Sequence, residues 1–218
     1  MNMKHRLQKN KFKIFFLFLI TFLIVEPLET PIIDATLGFI LILAFSFSPY
    51  FISPGKGTFA LALSAIFLCI CIDIFPLNCA PDIVRSALQV IGVLIYFVII
   101  SYIFWYTISS EVVSTDLIFL SLTGYFLIGI GFYLAYDVLQ DLGLIVFKPK
   151  LILSKDELLY FSYTALATLG FGDFVPVTDM GRRLANVESC LGVLYVAVFI
   201  GRLIGLHAGT RKKGSGKD

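Results

Sequence analysis

Tyr160-Phe-Ser-Tyr-Thr-Ala-Leu-Ala-Thr168, continuing as Leu169-Gly-Phe-Gly172-Asp173-Phe-Val-Pro176-Val-Thr178-Asp-Met-Gly181-Arg182, is the stretch on which the reading of this chain turns. Its first half belongs to a short apolar helix, Leu158 to Ala167. Ser154 is placed to cap that helix, and Asp156 and Glu157 fall in its first turn, where negative charge suits the helix dipole. The second half is led by backbone: Gly170 and Gly172 adopt angles that other residues resist. Gly-x-Gly alone says little, since at ~7% glycine about one copy is expected by chance in a chain this long. The conjunction is what informs. A threonine stands two residues before the first glycine, an aromatic lies between the glycines, and Asp173 and then Pro-Val-Thr follow.

Outward from this stretch the chain is lipid-soluble in character. It is 58% hydrophobic and 15% charged, with 22 phenylalanines, against about 25% charged residues in soluble domains. Ala35 to Gly55, Ser86 to Ser110 and Leu117 to Tyr136 contain no Asp, Glu, Lys or Arg. Each reaches the roughly 20 residues that cross a ~30 Å hydrocarbon core as a helix. Gly57 to Ile72 extends through Phe75 if Asp73 lies near head groups. Ile14 to Val25 spans if Lys13 snorkels and the helix continues past Glu26 towards Leu28. A secretory signal would show a small-residue cleavage site there, and the residues present are Glu26-Pro27-Leu28-Glu29. The last apolar segment runs from Leu184 to about His207. The expected fold is therefore an all-α membrane protein with six transmembrane helices. Between helices five and six sits a re-entrant short helix and loop, a form tolerated at membrane depth only where it lines water or is buried in protein.

Here the sequence resembles the pore region of potassium channels, whose filter is usually written TVGYG. Leu169 and Phe171 replace Val and Tyr, each within its side-chain class. The resemblance covers about Leu153 to Gly205 and is that of a bacterial-like six-segment subunit. It implies that K+ is held by backbone carbonyls of Thr168, Leu169, Gly170, Phe171 and Gly172, with the Thr168 hydroxyl at the cavity end. Leu169 and Phe171 then pack behind the filter, Asp173 and Thr164 support it, and Tyr160, Phe161 and Tyr163 form an aromatic cuff or an interfacial belt. Many relatives carry Glu where this chain has Thr164, so their filter-inactivation behaviour is not carried over to it. Gly192, eleven residues after Gly181, matches the family's gating hinge; the bland alternative is close packing against a neighbour. Glu188, costly in an apolar helix unless paired, is expected to brace the short helix through Thr164 or a tyrosine hydroxyl. Arg202 and His207 read as snorkelling anchors.

One such loop supplies a quarter of a filter, so a homotetramer in the bilayer with the ion path on its axis is expected. A voltage sensor needs Arg or Lys at every third position. The fourth segment, Ile83 to Ile108, has Arg85 alone, so steep voltage dependence is not expected. Residues 1–110 read as a four-helix membrane domain of unknown role, 111–208 as the pore domain and 209–218 as a basic tail, too short to hold a fused ligand-binding domain. Five Lys or Arg precede the first apolar run and Arg211, Lys212, Lys213 and Lys217 crowd the other end. By the positive-inside rule both termini are expected to be cytoplasmic, and the plasma membrane is the expected location. These short basic ends serve topology and lipid contact rather than nucleic acid. No cofactor is implied beyond the permeant ion, and the cysteines lack metal-ligand spacing. A weakly selective cation channel on the same scaffold is the nearest alternative. An ion-transporter subunit would carry several such loops, and an enzyme would need a catalytic cluster that the two distant histidines do not supply.

Overall fold

The computed structural model describes residues 11–25, 82–110 and 115–214. The expected crossings over Ala35 to Gly55 and Gly57 to Phe75 lie outside these residues. Within them the chain is mostly helical: α1 (Lys11–Val25), α2 (Asp82–Ser109), α3 (Thr115–Asp141), β1 (Phe147–Lys148), α4 (Lys155–Leu166), β2 (Val175–Pro176) and α5 (Asp179–Gly214). Among the described residues three stretches are long and apolar enough to cross a membrane: Ser86–Ser109, Leu117–Asp141 and Asp179–Arg202. The described α1 has 15 residues, roughly 22 Å of helix, and its continuation past Glu26 is not among the described residues.

α3 is the central member and touches every other helix. Its sequence explains why. In lipid, helices gain little hydrophobic attraction for one another and rely on close packing and interhelical hydrogen bonds, which small residues permit. Three glycines of α3 each receive a tyrosine from a different helix. Tyr195 of α5 lies over Gly124, Tyr163 of α4 over Gly129 and Tyr96 of α2 over Gly131, so close that a Cβ would sit 2.6, 2.5 and 3.0 Å from the respective ring or hydroxyl. Each hydroxyl then donates to an α3 carbonyl three or four residues upstream: Tyr195 to Ser121 at 2.5 Å, Tyr163 to Phe126 at 3.0 Å and Tyr96 to Leu127 at 3.0 Å. The ring packs on the notch and the hydroxyl finds its partner, so no buried phenol is stranded. α1 joins the same helix through Phe16, stacked obliquely on Phe119 and Phe126, with Lys13 over the Phe119 ring.

The outward faces remain apolar: Leu94, Val98 and Trp105 of α2 are more than half exposed, as a lipid-facing surface requires. On the far side of the α3–α4 connection, Gln140 pairs its amide with both backbone groups of Leu153, at 2.9 Å each. β1 and β2 pair antiparallel, Phe147 opposite Pro176 and Lys148 opposite Val175, which ties the segments before α4 and after the glycine loop together.

Candidate functional site: the Thr168–Asp173 loop and its supports

α4 begins where the sequence places it. Ser154 Oγ accepts the Glu157 amide and Glu157 Oε2 accepts the Ser154 amide, a reciprocal capping box. Lys150 adds an ion pair to Glu157 at 2.6 Å. The Lys150 ammonium first, and then the Ser154 amide, hold the Glu157 carboxyl below the usual carboxylate range.

The other end of α4 opens directly into the glycine loop. Leu169 N donates to Thr164 O at 2.8 Å and Thr168 N to Ala165 O at 3.0 Å. That pair of bonds is a Schellman closure, which needs a left-handed residue at the position Thr168 occupies. Thr168 has φ 57°, Gly170 φ 53° and Gly172 φ 80°. Glycine at the last two is expected; a β-branched residue in this region is strained and persists only where its surroundings over-determine it. The consequence is a regular alternation. Every second residue from Thr168 to Gly172 is left-handed, so successive peptide groups face the same way instead of alternating as in a strand.

Side chains around the loop divide by helix rotation. Tyr160 stacks on Phe171, 6.4 Å between centroids and 9° between planes, and meets Phe174 edge-on. The Asp173 carboxylate, accepting from the Tyr160 hydroxyl, holds that phenol above its ordinary range; Asp173 also accepts the Phe174 amide. On the single chain Phe161 packs with Tyr136 and Phe147 and also lines the cavity beside the loop, whereas Tyr163 packs on α3 against Phe126. Leu169 and Phe171 are 59% and 65% exposed on the single chain. Beside them a cavity of about 270 Å³, lined by Thr164, Gly170, Asp173, Asn186 and Ser189, lies between the loop and α5.

Glu188 of α5 is completely buried. Tyr136 Oη donates to its Oε2 at 2.8 Å, and Ser162 Oγ lies 2.5 Å from its Oε1. The tyrosine is thus one of the two partners expected from sequence, and Thr164 is not the other: its Oγ1 turns back to Phe161 O at 2.8 Å. Ser162 carries no sequence signal beyond being a small hydroxyl on α4. Ser189 of α5 also binds α4, donating to Ala165 O at 2.8 Å.

Gly192 lies in the unbroken α5, and a Cβ there would stand 2.0 Å from Leu166 O. With Ser189, one turn earlier on Ala165 O, it brings α5 against the last carbonyls of α4. Arg202, near the far end of the crossing, donates through Nη2 to Ser110 O just beyond α2. A cation there suits the orphan carbonyls of a helix C-terminus.

Residues 139–206, from the end of α3 through the loop and most of α5, match the family model described as "Ion channel". No curated protein and no solved structure matches the chain.

Proposed function

We propose that this chain, whose residues 139–206 are an ion-channel domain, is one subunit of a homotetrameric, potassium-selective channel that conducts K+ passively across the plasma membrane. The observation that carries the reading is the alternate left-handed backbone at Thr168, Gly170 and Gly172. It turns successive peptide groups one way, the requirement for a column of carbonyls that replaces a cation's hydration shell. Four copies about one axis complete the ring, α4 and the loop re-entering from one side between six crossings. Leu169 and Phe171, so exposed on one chain, then meet neighbouring subunits. In that assembly the carbonyl end of the α4 dipole faces a central cavity on the axis, below the ring, and favours a cation there.

Asp173, Thr164 and Glu188 act as supports of the filter rather than ion ligands, and Gly192 serves both as the contact to α4 and as the hinge of α5. The fourth apolar segment carries Arg85 alone rather than Arg or Lys at every third position, which favours a conductance that depends weakly on voltage. The clustering of Lys and Arg at both ends favours cytoplasmic termini.

The test is cation flux through the purified protein in liposomes, potassium against sodium, with barium as blocker and Gly170→Ala as control. Potassium flux well above sodium, blocked by barium and lost in the variant, supports the proposal. Equal fluxes sink the selectivity and leave the weakly selective cation channel.

A further inference from the structure

The Glu188 cluster has one more close contact than its neutral hydroxyls have hydrogens. Ser162 Oγ stands 2.7 Å from Gly129 O as well as 2.5 Å from Glu188 Oε1, and Tyr136 Oη stands 2.8 Å from Glu188 Oε2. Three oxygen–oxygen contacts need three hydrogens. Ser162 and Tyr136 supply one each, and the Gly129 carbonyl only accepts. With Glu188 ionised, Ser162 must choose between carbonyl and carboxylate, and one contact brings two acceptors together without a proton. With a proton on Glu188 Oε1 the chain closes: Glu188 donates to Ser162, Ser162 to Gly129 O, and Tyr136 to Glu188 Oε2.

The surroundings agree. Glu188, Ser162 and Tyr136 are all fully buried, and the rings of Tyr136, Phe147 and Phe161 pack together at 5.1–6.3 Å beside them. The ionisable side chains facing Glu188 are Tyr136 and Tyr125 of α3; α4 presents Ser162, and among the described residues no Lys, Arg or His meets it. A buried carboxylate without a cation is strongly unfavourable.

We infer that Glu188 is a neutral carboxylic acid acting as a hydrogen-bond donor, a positioning residue that locks α4 to α3 and α5 through Ser162 and Tyr136. It sets the height of α4, and through the Schellman closure the height of Thr168. Loss of the proton at alkaline pH releases the Ser162 arm. Only the flux arm of its test rests on the channel reading.

Infrared difference spectra of the full chain in bilayers read the proton directly. Wild type minus Glu188→Gln at neutral pH is expected to show one carbonyl stretch of a protonated carboxylic acid, and Ser162→Ala is expected to shift that band, because its acceptor is gone. Loss of a carboxylate band instead, or no shift in Ser162→Ala, overturns the assignment. As pH rises, the acid band of wild type and its potassium flux are expected to fall together. Glu188→Gln, whose amide reproduces donor and acceptor, keeps its flux, while Glu188→Ala loses it at every pH. Parallel alkaline loss in wild type and Glu188→Gln overturns the positioning role. An acid band with no flux in any variant supports the protonated state and removes the channel reading instead.

Discussion

Replacing Gly192 by alanine tests the described glycine at which an added Cβ would meet its neighbour most closely. The added Cβ would stand 2.0 Å from Leu166 O and 3.0 Å from the Leu166 carbonyl carbon. Both atoms are backbone, so no rotamer change relieves the clash, and the oxygen must retreat from 2.0 Å to at least 3.0 Å. Alanine gains about 1 kcal/mol of helix propensity over glycine, whereas overpacking a filled contact costs about 1–3 kcal/mol and sometimes more. A clash with backbone belongs at the upper end of that range, so a net destabilisation of about 1–2 kcal/mol is expected. The displaced Leu166 lies two residues before Thr168, so the shift reaches the loop. Thermal stability of the purified assembly and the potassium-to-sodium flux ratio are the measurements, and both are expected to fall. A pure hinge role predicts otherwise: a stiffer α5, altered opening, unchanged selectivity. Gly192→Ala as stable as wild type, with its flux ratio intact, would refute the packing argument.

Gly170→Ala faces open space, with no atom within 4 Å of its Cβ on the single chain, but φ 53°; left-handed backbone costs an L-residue roughly 1–2 kcal/mol, and loss of potassium flux without loss of the folded subunit is expected by flux assay and circular dichroism. Tyr136→Phe leaves Glu188 Oε2 without its donor and is expected to lower stability by about 1–3 kcal/mol, read by thermal unfolding; no change would show that the tyrosine bond carries nothing. Ser154→Ala removes the α4 cap and is expected to destabilise by about 0.5–2 kcal/mol. Because the Glu157 carboxyl is held below its ordinary range, its contribution is fully present above the unfolded-state value and is lost as pH falls through the folded one. Glu157→Gln should flatten that acid limb of the stability curve, and an unchanged limb would assign it to other carboxylates.

Much of the candidate site is legible in sequence because the signals are local. Ser154 capping α4, Asp156 and Glu157 in its first turn, and Gly170 and Gly172 at positive φ all depend on residues within a few positions of one another. The apolar runs likewise announce the long helices by length alone, though each extends a few residues beyond its charge-free core: α3 continues past Tyr136 to Asp141, since a helix ending in the head-group region carries charge without leaving its hydrogen-bond ladder. Thr168 was not legible in this way. Nothing about threonine calls for φ 57°; the demand comes from closing α4 onto the next residues.

The sequence by itself determined the class of the molecule, the place of the glycine loop between two long apolar helices, and the capped short helix that leads into it. These follow from hydrophobic run length, cap chemistry and glycine's conformational freedom, all properties of contiguous residues. Tertiary structure alone decided the partners: Ser162 rather than Thr164 for Glu188, Leu166 O for Gly192, and three tyrosines of α2, α4 and α5 over three glycines of α3. Those pairs lie 26 to 74 residues apart where hydrogen bonds mark them. Which of them meet depends on the rotation and height at which each helix docks. That choice is made by fitting rings into notches over the whole bundle, and a 100° turn of one helix would exchange every partner.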